Sequence, residues 1–161
     1  MIPGDNENQA SEVLAYYALT ERVDIIVPFV HNSEVRSHWR RFISSVYRFI
    51  INCSFGTSLN YTNGTVIYNR RILEDIELFS KGFFYQTELL VRLIRHGYLY
   101  AEVPYFLSRQ GNKTKALSWR SFRVLTWACL KLMCDIHILR RAGRVNLKLH
   151  PQSATHRKLS Q

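Results

Sequence analysis

Two acidic residues near the start of the chain have the spacing of ligands for a hard metal ion. Asp5 and Glu7 lie two residues apart in the polar segment Met1–Glu7. Carboxylate oxygens in such a turn can contact one divalent cation, and Mg²⁺ and Mn²⁺ prefer oxygen ligands. The pattern predicts a Mg²⁺ or Mn²⁺ site, and the alternative is an acidic terminus that binds nothing.

A glutamate at position 88 is the first candidate for acid–base chemistry. Glu88 lies in the first turns of the segment 83–96, which has helical periodicity. A carboxylate at this position can act as a general base or bind a sugar hydroxyl. Two structural roles compete with that hypothesis, because acids are favoured at helix starts and Arg92 follows four residues later.

A basic loop at residues 106–117 contains Arg109, Lys113 and Lys115. Arginine binds phosphate through parallel hydrogen bonds, and lysine binds it as a point charge. The loop is therefore a candidate phosphate site, with a solvated charged loop as the alternative. The sequence contains no glycine-rich phosphate loop, Ser/His/Asp order or HExxH motif.

Alternating strands and helices must position these residues, which predicts the α/β class. Short apolar runs rich in β-branched residues indicate strands, and apolar residues recurring every three or four positions indicate helices. The main segments are strands at 23–30, 65–69 and 98–105 and helices at 34–52 and 83–96. Within the first strand, Pro28 predicts a sheet edge, a bulge or the strand's end.

Residues 118–141 form a further predicted helix, long and amphipathic, with aromatic residues on its apolar side and basic residues beside them. Charged residues interrupt it, so it does not have the composition of a membrane-spanning helix. A helix of this kind either lies in a membrane interface or packs on the sheet.

The composition favours one domain with an anionic partner. The chain has 161 residues, of which 47% are hydrophobic, and 22 Lys and Arg exceed 12 Asp and Glu to give a net charge of +10. Such a balance favours phosphates, nucleic acid or acidic lipid without choosing among them. Cys53, Cys129 and Cys134 have no metal-site spacing and are interpreted as reduced thiols.

Taken in order, the segments resemble the later half of a family 2 inverting glycosyltransferase of the dolichyl-phosphate mannosyltransferase or polyprenyl-phosphate glycosyltransferase type. The matching segments are Met1–Glu7, Asp24–Val27, Val35–Arg41, Tyr61–Thr65, Tyr68–Arg71, Gly82–Leu93, Glu102–Pro104 and Arg109–Lys115. The stretch 82–115 is the most specific. Pro3 stands where the first acid of the Asp-x-Asp-type metal motif is expected, and Asn60 stands where many members have aspartate.

The resemblance implies a partial GT-A (nucleotide-diphospho-sugar transferase) fold with a C-terminal amphipathic helix. Residues 1–117 would form the C-terminal part of a GT-A domain, 118–142 an amphipathic helix that contacts a membrane interface or the sheet, and 143–161 a loose basic tail. It also implies that the strands for the nucleotide base and ribose belong to a missing N-terminal half. We therefore expect this chain to be inactive alone.

By resemblance, the complete enzyme transfers a sugar with inversion from a UDP- or GDP-linked donor to a polyprenyl phosphate or another lipid-linked acceptor. Mg²⁺ or Mn²⁺ at Asp5 and Glu7 would neutralise the diphosphate leaving group. The other implied roles are phosphate binding by Arg109, Lys113 and Lys115, acceptor positioning or proton removal by Glu88, and contact with the acceptor or membrane by Arg36, Arg40 and Arg41. The expected location is peripheral, on the cytoplasmic face of a membrane.

Two non-enzymatic alternatives remain open. One is a basic module that binds nucleic acid, and the other is a membrane-surface interaction protein with a degenerate transferase core. The basic residues are scattered over helices and a loop, and the sequence contains no recognised nucleic-acid motif. We therefore expect no nucleic-acid partner.

Overall fold

The structure is a computed structural model that describes residues 14–32, 38–62, 64–74, 76, 84–106, 126–127, 129–138 and 149–161. Three strands, β1 (Ile25–Val30), β2 (Ile67–Tyr68) and β3 (Tyr100–Tyr105), form a mixed sheet in the order β2-β1-β3. β1 runs antiparallel to β2 and parallel to β3. The predicted α/β class and the three predicted strands are thus confirmed, and this sheet by itself does not distinguish a GT-A fold from other α/β folds.

Strand β1 lies between β2 and β3, but β2 pairs with only the first two residues of β1. Ile25, Ile26 and Val27 are buried, as expected of a strand covered on both faces. β2 pairs with Ile25 and Ile26, so among the strands of the described residues Pro28 has β3 as its only neighbour. This explains how proline is tolerated here, because its missing N–H breaks no pairing with β2.

The direction of the β1 amides supports the same conclusion. The amide of Ile25 donates to Leu99 O at 3.2 Å, and the amide of His31 donates to Tyr105 O at 3.0 Å. Alternate residues of a parallel strand bond to the same neighbour. The odd-numbered residues therefore bond to β3, and the nitrogen of Pro28 faces the opposite side.

Helix α1 (His38–Phe55) has 18 residues and ends in a glycine turn. Gly56 has a φ of +64°, a left-handed conformation that glycine adopts without steric cost. Arg95 Nη1 donates to the carbonyl of Phe55 at 3.0 Å, which satisfies one of the terminal acceptors of the helix. The end of α1 is thus held by a side chain from another helix.

Helix α2 (Tyr85–Arg95) lies between two apolar clusters. Leu89, Leu90 and Leu93 pack with Ile25 and Val27 of β1, whereas Val91 packs with the α1 residues Ile51 and Phe55. Every residue from Thr87 to Leu93 is buried. Because both sides of α2 are covered, its charged residues Glu88 and Arg92 also lie in the protein interior.

The helix predicted at 118–141 is described at residues 126–127 and 129–138, and we call this stretch α3. Its last turn, Cys134–Ile138, is a π-helix. Cys129, Leu132 and Ile136 pack in the cluster that contains Ile51 and Phe55 of α1. The inner face of α3 thus contacts the helical layer of the molecule.

The C-terminal residues correct one prediction. The predicted loose tail, 143–161, is described at 149–161, where it forms a short helix, α4 (Ala154–Leu159). The buried carboxylate of Asp24 accepts hydrogen bonds from the amides of Ala154 and Thr155 at 2.8 and 2.9 Å. The described part of the tail is packed rather than loose, because the unpaired amides at a helix start are strong donors to a carboxylate.

Candidate functional site

Glu88 lies in the first turn of α2 and is almost completely buried, with 1% of its surface exposed. Its Oε1 accepts a hydrogen bond from Arg92 Nε at 2.9 Å, one helical turn further on. The competing prediction of an i,i+4 ion pair is therefore confirmed. A general base must come within hydrogen-bond reach of its substrate, so proton removal by Glu88 would require an opening of this helix start.

The residue before Glu88 connects three parts of the chain. Thr87 Oγ1 lies 3.0 Å from the hydroxyl of Tyr47 on α1 and 3.4 Å from the carbonyl of Thr62. Thr62 belongs to residues 57–62 and 64–66, which we call the connecting loop. The start of α2 is thus held against both α1 and the connecting loop by hydroxyl contacts.

A second polar contact joins the connecting loop to β3. Glu102 on β3 accepts two hydrogen bonds from Asn60, at 2.6 Å from its amide and 2.8 Å from its side-chain nitrogen. Arg48 Nη1 of α1 donates to the carbonyl of Asn60 at 3.2 Å. A partly exposed carboxylate, an amide and a guanidinium therefore meet at one place.

Glu102 was missed as a site residue by the sequence reasoning, although it lies in a segment of the resemblance. The available signal was an acid inside the otherwise apolar strand YAEVPY. Its partner Asn60 is 42 positions away, and no local pattern relates the two. Their contact arises because β3 and the connecting loop pack side by side.

The connecting loop is held tightly at both ends. Asn52 on α1 donates to Leu59 O at 2.9 Å and accepts from Leu59 N at 3.0 Å, so one amide holds both polar backbone groups of a buried residue. At Gly64, a Cβ atom would lie 2.6 Å from the Tyr61 ring and 3.3 Å from the carbonyl of Pro28. Glycine at this position lets the chain pass between the ring and β1.

Two titratable groups near the start and end of α2 have shifted pKa values. Burial, and secondarily the charge of Tyr85, raises the pKa of Tyr68 well above its ordinary value. The Tyr68 hydroxyl is buried without a hydrogen-bond partner among the described residues. Burial and the positive charge of Arg92 lower the pKa of His96, so both shifts favour the neutral side chain.

Most of the predicted site residues lie outside the part of the chain that the structure describes. These are the predicted metal ligands Asp5 and Glu7, the predicted phosphate ligands Arg109, Lys113 and Lys115, and Arg36. Arg40 lies in α1, with only its backbone described, and Arg41 lies beside it, half-buried. The convergence of Asp5, Glu88 and Arg109 therefore stays a prediction.

Among the described residues, no three His, Cys, Asp or Glu side chains are grouped as metal ligands. The Mg²⁺ or Mn²⁺ site stays a prediction because both of its proposed ligands lie outside these residues. No helix in the described ranges is both long and apolar enough to cross a bilayer.

Comparison with protein-family models, with curated proteins and with solved structures found no match to this chain.

Proposed function

We propose that the chain is the acceptor-side part of an inverting glycosyltransferase with a partial GT-A fold, which moves a sugar from a UDP- or GDP-sugar to a lipid-linked or polyprenyl-phosphate acceptor. The observation that supports this most directly is the contact of Asn60 with Glu102. Both residues belong to, or directly adjoin, separate segments of the resemblance. A third such segment, α2, contacts the same loop through Thr87 and Thr62.

In the proposed reaction, an acceptor oxygen attacks the anomeric carbon while the bond to the diphosphate breaks. Mg²⁺ or Mn²⁺ would supply positive charge to the leaving diphosphate, and we assign Asp5 and Glu7 as its ligands. Arg109, Lys113 and Lys115 would hold the diphosphate oxygens and stabilise the charge that develops on them. When the acceptor is an ionised phosphate, the bond formed and the bond broken balance without a proton acceptor.

The role of Glu88 depends on the acceptor. A hydroxyl acceptor must lose a proton, which Glu88 could accept only after the burial at the start of α2 is relieved. A phosphate monoester oxygen carries no proton that must be removed. We therefore favour a phosphate acceptor, for which Glu88 orients Arg92 and holds the start of α2 in place.

Nucleotide binding tests the proposal. Because the proposed contacts of this chain are with the diphosphate and not with the base or ribose, titration with UDP and GDP in the presence of Mn²⁺ should reveal weak binding of at least one of them. Because a hydrogen bond to a charged group contributes about 1.5–3 kcal/mol, the double variant K113A/K115A should bind at least about 10-fold more weakly. K158A, which removes an exposed lysine of α4, is the matched control and should bind like the parent.

The same titration separates the proposal from a nucleic-acid module. Single-stranded and duplex DNA should bind no more tightly than expected for a chain of charge +10, with a strong salt dependence. Tight DNA binding without binding of either nucleotide would reject the transferase proposal. Membrane contact does not separate the transferase proposal from the membrane-surface alternative, because both include it.

A further inference from the structure

The outer face of α1 carries a stripe of exposed apolar side chains. We call Trp39, Phe42, Val46, Phe49 and Ile50 the α1 stripe. Their spacing of three and four residues places them on one side of the helix, and Trp39, Phe42 and Phe49 are each at least 60% exposed. The rings of Trp39 and Phe42 stack with centroids 5.9 Å apart. The apolar periodicity that predicted this helix therefore marks a face that the described structure leaves uncovered.

The face of α1 that packs inside the protein is a different one. Ile51 and Phe55 are buried against α2 and α3, and Tyr47 packs beside them. At 100° per residue, Ile51 and Phe55 lie on the side of α1 opposite the centre of the stripe. The stripe therefore does not contribute to the core of the fold.

Helix α3 also has one buried and one exposed apolar face. Its residues Cys129, Leu132 and Ile136 are buried in the cluster that includes Ile51 and Phe55. Trp127, Leu130 and Ile138 on its other side are at least 55% exposed. Two helices that share one apolar cluster thus each expose a second apolar face, and exposed apolar surface of this extent marks an interaction site.

The positive charge of α1 and of the whole chain favours one kind of partner for the stripe. Helix α1 contains Arg40, Arg41 and Arg48 and no acidic residue, in a chain of net charge +10. In the helical register, Arg40, Arg41 and Arg48 fall nearer to Ile51 and Phe55 than to the centre of the stripe. An apolar stripe on a helix without acidic residues, in a chain of this positive charge, matches a surface that is apolar inside and carries negative charge. A second copy of the chain fits less well, because two chains of net charge +10 repel each other.

We propose that the α1 stripe, together with the exposed residues of α3, rests on the surface of an anionic bilayer with α1 lying along that surface. The inference specifies the membrane contact of the proposed function and rests on it for the choice of a membrane partner. The sequence placed the main membrane contact on the predicted helix at 118–141, whereas this proposal places it on α1. Because vesicle binding needs neither nucleotide nor acceptor, its outcome is independent of transfer activity.

Vesicle flotation tests the proposal. The chain should float with vesicles containing phosphatidylglycerol and bind much less to vesicles of phosphatidylcholine alone. The variant F42E/F49E should bind the anionic vesicles at least about 10-fold more weakly, because it removes two apolar rings and adds two negative charges. L159E is the matched control, since Leu159 is equally exposed but lies on α4, and it should float like the parent.

Tryptophan fluorescence provides a measurement that does not depend on the folding of F42E/F49E. In W119F/W127F the remaining tryptophan is Trp39, and its emission should be quenched by brominated lipid chains in anionic vesicles. Unquenched Trp39, or F42E/F49E that floats as well as the parent, would overturn the proposal. So would a parent chain that does not float, or a parent dimer that F42E/F49E converts to a monomer without loss of vesicle binding.

Discussion

The ion pair of Glu88 and Arg92 is a residue-scale feature with two possible consequences. Glu88 is buried, and its carboxylate accepts a hydrogen bond from Arg92 of the same helix. A buried pair of this kind adds little net stability compared with an apolar pair, but loss of one partner leaves a buried charge uncompensated. The effect of a substitution at one position on the free energy of unfolding should therefore depend strongly on the residue at the other.

Single and double substitutions measure that coupling. E88L and R92L should each lower the free energy of unfolding by about 3–5 kcal/mol, and E88L/R92L should lower it by less than the sum of the two. Urea denaturation gives the values, and E74Q at an exposed glutamate should be nearly neutral. Additive effects of E88L and R92L would show that the two side chains do not depend on each other.

At the scale of elements, the connecting loop determines how α1, α2 and β3 meet. It contacts α1 through Asn52, β3 through Glu102 and α2 through Thr87. Its course also depends on close passage between Tyr61 and the carbonyl of Pro28. The residue that permits this passage is Gly64.

Substitution of Gly64 tests the importance of the close approach. G64A places a Cβ atom 2.6 Å from the Tyr61 ring, so either the ring or the loop must move. We expect a loss of about 1–3 kcal/mol in the free energy of unfolding, the usual cost of overpacking. S58A, at an exposed position of the same loop, should change it by less than about 0.5 kcal/mol. Equal stability of G64A and S58A would mean that the loop has room to relax.

At the scale of the whole molecule, the C-terminal helix is attached to the first strand. Asp24 precedes β1, and its carboxylate accepts hydrogen bonds from Ala154 and from both the amide and the hydroxyl of Thr155. The Thr155 hydroxyl in turn accepts from Leu99 N at 2.8 Å, just before β3. One carboxylate thus joins chain positions 131 residues apart and fixes the start of α4 beside the sheet.

Removing the charge of Asp24 should weaken this attachment. D24N turns one acceptor oxygen into a donor that faces helix amides, so the free energy of unfolding should fall by about 2–3 kcal/mol in urea denaturation. E21Q, at an exposed acid close by, should have little effect. After deletion of residues 149–161, D24N should lower the free energy of unfolding much less than it does in the full chain. The same cost in both backgrounds would show that Asp24 acts independently of α4.

Local patterns in the sequence were sufficient for the elements and for contacts within one helix. Apolar runs predicted the three strands, and periodicity predicted the helix that contains Glu88, because both signals repeat over a few residues. The pair of Glu88 and Arg92 was also predictable, since four residues make one helical turn. The sequence likewise predicted that α1 is amphipathic, but not whether its apolar stripe is buried or exposed.

The tertiary structure alone determined the contacts between distant segments. Asn60 meets Glu102 across 42 positions and Asp24 meets Thr155 across 131, and no short-range pattern encodes either distance. The same reason explains why residues 149–161 were predicted to be loose. Their order comes from contacts with distant segments: hydrogen bonds to the buried carboxylate of Asp24, and packing of Leu149 on the apolar cluster that contains Ile25. Secondary structure follows from neighbours along the chain, whereas the candidate site and the docking of the C-terminus depend on packing among segments far apart in sequence.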